Sequence, residues 1–157
     1  MQTEPPLASP VAPAPATPAA PAARSERLFR VFTASEHRPP FSFSLGLGPA
    51  GLPELIVFGL RDVIAQSLLN QVARDLVAGK VFEQGVPYED YLVGYPVRFR
   101  AVTANGEYAE YLMIGAAFAR APLPALGTFR ALQVVCSDHE RRFPGESGYN
   151  GESQPLL

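Results

Sequence analysis

The chain has 157 residues, a formal charge of −2, one cysteine and no tryptophan. Length of this order fits one folded domain. A near-neutral balance with no Lys/Arg block gives no electrostatic footprint for nucleic acid, and a lone cysteine excludes both an intrachain disulfide and a cysteine-based zinc site.

From Pro5 to Ala23, fifteen of nineteen positions are Ala or Pro. Proline removes backbone donors and alanine supplies little apolar area, so such a stretch does not repay its ordering entropy. Residues 1–24 are therefore expected to be a disordered tail, and residues 25–157 a single globular domain. The N-terminus has neither the basic region nor the apolar run of a secretory signal. The longest apolar stretch, Tyr111 to Ala119, is too short to cross a bilayer. The expectation is a cytoplasmic protein with no membrane partner.

Phe41, Phe43, Leu45 and Leu47 alternate with Ser42, Ser44 and Gly46, which predicts a half-buried strand with a polar outer face. Gly48-Pro-Ala-Gly51 breaks the chain, and the apolar run Leu55–Phe58 predicts a more buried strand, paired with the first as an antiparallel hairpin. Asp62 is suited to cap a helix. Ile64, Leu68, Leu69, Val72, Leu76 and Val77 carry that helix over 62–78 on one apolar face, and Gly79 ends it.

Residues 80–94 read as a loop. Val97, Phe99 and Ala101, alternating with Arg98 and Arg100, predict a strand, and Pro96 points to an edge or entrance position. The spacing of Tyr108, Tyr111, Leu112, Gly115 and Phe118 predicts a second helix over 107–120. Ala131–Cys136 reads as a buried strand, and the residues after it lack periodicity. The expected fold class is α+β: a small mixed, mostly antiparallel sheet with two main helices packed on it, on one face.

Several segments are similar to a bacterial family known as domain of unknown function 4262. They are Pro40–Leu47, Leu52–Leu60, Leu69-Asn70, Gly94–Val97, Ala131–Val135, Arg142–Pro144 with Gly148-Tyr149, and Gln154–Leu157. Their order spans about residues 39–157. The resemblance implies a soluble bacterial protein and brings no catalytic residues. One position departs from the family pattern: Gly145 stands where a tryptophan usually follows the Phe-Pro pair.

Candidate chemistry is sparse. An activated serine needs a base within hydrogen-bond reach; Ser42 and Ser44 have only His37 and His139 as imidazole candidates, and no Gly-x-Ser-x-Gly elbow is present. His37, Asp138, His139 and Glu146 lack the spacing of known metal motifs. No cofactor, metal or catalytic residue is assigned.

The segment from Asp138 to Gln154 gathers mixed charge directly after a buried strand, where binding loops are often held. Candidate ligand-binding residues are Ser42, Ser44, Asp138, His139, Arg142, Tyr149 and Gln154. In this reading Arg142 clamps an anion and Tyr149 offers a stacking face; in the competing one the segment packs over the sheet, with Arg142 paired to Glu146 or Asp138. The expected function is a binding or regulatory module for a small anionic or peptide-like ligand. The alternatives are a hydrolase-like enzyme using Ser42 or Ser44 with Asp138 and His139, or an interaction protein that pairs with a second copy.

Overall fold

The computed structural model describes residues 29–102, 110, 111, 113–115, 117 and 130–157. The Pro/Ala-rich segment 1–24 lies outside them, as do the ends of the second predicted helix.

Five strands form one sheet: β1 (Arg30–Ala34), β2 (Phe41–Leu45), β3 (Glu54–Phe58), β4 (Val97–Val102) and β5 (Ala131–Cys136). Their spatial order is β1-β2-β3-β5-β4. β1 with β2, β2 with β3, and β4 with β5 pair antiparallel, whereas β3 and β5 run parallel. The sheet is therefore mixed and mostly antiparallel, and the fold is α+β. The hairpin expected from residues 41–58 is present, with Phe41 opposite Phe58 and Phe43 opposite Ile56. A single 3-10 turn, Gly48–Ala50, lies in its connection. β4 is at the sheet edge, as Pro96 suggested, and isolated bridges from Gln84 and Tyr88 cover part of that edge.

Helix α1 (Asp62–Val77) buries Ala65, Leu68, Leu69, Val72, Ala73 and Leu76; of the predicted stripe Leu68, Leu69, Val72 and Leu76 are buried, and Ile64 and Val77 only partly so. Each buried leucine stabilises by about 2 kcal/mol through the area it removes from water. The N-cap is Arg61 rather than Asp62. Asp62 falls in the first turn, where its carboxylate accepts from Thr33 Oγ1 at 2.6 Å and from Gln66 Nε2 at 2.6 Å.

Two features differ from expectation. β1 extends the sheet beyond β2, although its five residues carry no strong alternation. Further, the helices lie on opposite faces of the sheet. α1 packs with Leu55, Val57, Val97, Phe99 and Val134. The second helical segment, described at 110, 111, 113–115 and 117, places Tyr111 and Ile114 against Phe41, Phe43, Ile56 and Phe58. The cause is visible in β3, where all five residues are buried: a strand apolar on both sides must be covered on both sides.

The same cover explains the serines of β2. Ser42 and Ser44 do not form an outer polar face; both are buried, and β2 is a buried rather than a half-buried strand. Ser44 Oγ donates to Glu54 Oε2 at 2.6 Å and accepts from the Leu55 amide at 2.8 Å. Glu54 Oε1 in turn accepts from the amides of Gly46, Leu47 and Gly48. A buried polar cluster of this kind stands because its groups are paired.

The final segment crosses the second face. Gln133, fully buried in β5, donates to the Pro155 carbonyl at 2.5 Å and accepts from the Leu157 amide at 2.9 Å. Arg100 Nε holds the Leu157 carbonyl oxygen at 2.6 Å. Leu157 is thereby buried among Ile56, Phe58, Val102 and Ala131.

Candidate functional site

Because β3 and β5 are parallel neighbours, their carboxyl ends lie side by side, and in sheets with such a pair the crevice beyond these ends is a common ligand position. A cleft of about 770 Å³ occupies that place. Its floor is Phe58, Gly59 and Leu60 at the end of β3, and Cys136, Ser137 and Asp138 at the end of β5. One wall is the start of α1, with Arg61 and Ile64; the lip is Leu92, Val93 and Tyr95; the facing wall is Tyr149 to Glu152 with Gln154.

Local interactions hold each wall. Gly59 has φ +76, and a Cβ there would stand 2.9 Å from Glu152 Cβ, so the facing wall approaches the floor where only glycine fits. The lip follows Tyr91, whose hydroxyl accepts from Lys80 Nζ at 2.8 Å and donates to Asp75 at 2.5 Å. Burial, then the bond and the charge of Asp75, push the Tyr91 phenol well above its usual range. The Lys80 ammonium also stands 5.0–5.6 Å from the ring centres of Phe82, Tyr88 and Tyr91.

Asp138 organises the loop beside the cleft. Its Oδ1 accepts from the amides of Glu140 (2.9 Å) and Arg142 (2.8 Å), and its Oδ2 from the Asn150 amide (2.9 Å). Arg142 Nε adds a longer contact at 3.4 Å. Burial alone pushes this carboxyl up, but the amide bonds from Asn150, Arg142 and Glu140 and the Arg142 charge outweigh it, lowering the value to about 2. Hydrogen bonds to the ionised form act in that direction.

Of the residues proposed from sequence, Asp138, His139, Tyr149 and Gln154 come together around the cleft. Gln154 pairs with the Cys136 backbone at both its amide atoms, 2.9 Å each, and donates to the Tyr149 hydroxyl at 2.8 Å. That hydroxyl donates to the Glu152 carbonyl at 2.8 Å. Arg142 is directed to Asp138 and Glu140 and is not among the lining residues. Glu146 pairs with Arg98 at 2.8 Å; the Phe143 amide and then Arg98 hold its carboxyl below the usual range.

Ser42 and Ser44 stand elsewhere. Ser42 bonds Thr33 at 2.7 Å, and Ser44 belongs to the Glu54 cluster. His37 packs on Phe41 and Tyr111, while exposed His139 has Glu140 at 3.7 Å. Among the described residues no hydrogen bond joins a serine to an imidazole, so the serine–histidine constellation is not assembled. Burial pushes the Cys136 thiol up to about 12, far from the thiolate that nucleophilic chemistry requires.

Two cleft residues escape sequence reasoning. Arg61 is exposed at the N-cap of α1 and has no carboxylate partner among the described residues. Ser137 is 7% exposed, and its Oγ is buried with no hydrogen-bond partner among the described residues. Their common signal is position: each lies within three residues of the end of one of the two parallel strands.

The molecule is thus an α+β protein with a cleft at the carboxyl ends of a parallel strand pair. Residues 24–150 match the model of the family described as Domain of unknown function (DUF4262), and the chain belongs to that family. The match begins earlier and ends sooner than the similar segments alone indicated. No curated protein and no solved structure matches the chain. Gly145, where the resemblance led to the expectation of a tryptophan, is exposed with φ +89, a conformation that side chains with a Cβ rarely adopt. Among the described residues, no helix is long and apolar enough to cross a membrane.

Proposed function

We propose that the protein is a small-molecule binding or regulatory module whose cleft, bordered by the segment 138–154, takes a small anionic or peptide-like ligand. The observation that carries this reading is the cleft itself. Its volume of about 770 Å³ lies within the range of roughly 300–1,000 Å³ common to ligand sites. Apolar groups from Leu60, Ile64 and Leu92 share the lining with polar ones such as Arg61, Ser137 and Asn150, so a ligand can be gripped by its body and oriented by its polar end. A bacterial, cytoplasmic setting is part of the same reading, and the single buried, unpaired cysteine fits a reducing compartment.

The apolar body can be tested with N-phenyl-1-naphthylamine, a neutral fluorescent probe, titrated into the full chain. We expect saturable one-to-one binding, weakened about tenfold or more in Ile64→Asp, which puts a charge on the apolar wall. Ile64 is only partly buried, so the melting temperature should change little. Absence of saturable binding, or equal affinity in the variant, would contradict the proposal.

A further inference from the structure

Taking the cleft as a ligand site, we infer that its polar end is an anion subsite made by the first turn of α1, Arg61 and the Ser137 hydroxyl, and that the ligand carries a carboxylate or phosphate there.

Three observations converge. First, α1 runs for 16 residues and its N-cap, Arg61, makes no capping bond, so among the described residues the amides of its first turn before Ala65 meet no side-chain acceptor. Such amides carry the positive end of the helix dipole and favour an anion. Asp62 Oδ1 accepts from Thr33 and Gln66, and among the described residues no hydrogen bond joins this carboxylate to those amides. Second, Arg61 lines the cleft, and its guanidinium has no ion-pair partner among the described residues. Third, and independent of the helix, Ser137 lines the same cleft, and its buried hydroxyl has no partner among the described residues. A hydroxyl sequestered without a partner lowers stability, and a ligand oxygen would relieve that cost.

The negative groups nearby do not oppose this assignment equally. Asp138 is covered by three amides and faced by Arg142, so its charge is balanced within its own loop. Glu152 lines the facing wall and disfavours a second anionic group, which suits a ligand with one charged end and an apolar body. Arg142, the cation expected from sequence to bind the anion, here supports the loop instead.

The test compares N-phenyl-1-naphthylamine with 8-anilino-1-naphthalenesulfonate, which has the same ring body plus an anionic group. The full chain should bind the sulfonate about fivefold to tenfold more tightly, as expected for a charge-assisted contact, and salt should reduce that advantage. Arg61→Gln should remove most of it and leave the neutral probe unchanged. Ser137→Ala should weaken the sulfonate alone while holding or raising the melting temperature, because it deletes an unmet hydroxyl. A merely structural serine would lower it. Displacement of the sulfonate by inorganic phosphate but not acetate would mark a phosphate site, and the converse a carboxylate site. Equal affinity of the two probes, or equal loss of both in Arg61→Gln, would overturn the subsite yet leave the cleft standing. If neither probe binds, the cleft reading itself fails.

Discussion

A carboxylate taken out of water persists only where donors replace its hydration. Asp138 meets that condition with three backbone amides, and its value falls to about 2 against an ordinary value of about 3.9 in an unfolded chain. A depressed folded-state value means that the ionised form stabilises the fold above the unfolded value. This contribution fades as pH drops from about 4 to about 2. Melting temperature followed through that window should therefore fall in the parent. Asp138→Asn should start lower at neutral pH and follow a flatter curve, because the amide cannot serve all four contacts. Parallel curves would show that Asp138 does not carry the effect. From sequence, Asp138 was legible as a polar residue after a buried strand, and Arg142 as one partner in the competing reading, but the Asn150 amide, twelve positions away, was not.

At the level of elements, α1 was readable because its apolar spacing is regular and its stripe is wide. β1 was not readable: five residues without strong alternation offer too short a pattern, and pairing with β2 rather than local preference makes it a strand. The polar stripe of β2 looked like a solvent face because alternation reports polarity, not water. Here the partner of Ser44 is Glu54, which the hairpin brings across. The opposite-face arrangement of the helices has a test of its own. A Cβ on Gly115 would stand 2.8 Å from the Phe43 ring, so Gly115→Ala should overpack this face and cost about 1–3 kcal/mol, measured by denaturant unfolding. Phe43→Leu, by making room, should recover part of the loss. A stable Gly115→Ala protein would argue against the second helical segment lying on Phe43.

For the molecule as a whole, the cleft could not be read from the chain because four separated stretches build it: 58–64, 92–95, 136–139 and 149–154. They meet only because β5 inserts between β3 and β4, and nothing in the periodicity of the strands specifies that order. The segment 138–154 was singled out for its polar composition after a strand, and its near end and far end do border the cleft. Arg61 and Ser137 were passed over because a single cation after one strand and a serine after another carry no motif.

Backbone amide shifts recorded during a titration with 8-anilino-1-naphthalenesulfonate test the central claim most directly, since they report where a ligand sits on the folded chain. The account predicts movement at Leu60–Ala65, Leu92–Tyr95, Ser137–His139 and Tyr149–Gly151. Shifts confined to Arg98–Arg100 and Phe143-Pro144, which border a smaller cavity of about 350 Å³, would place the ligand site elsewhere and contradict it.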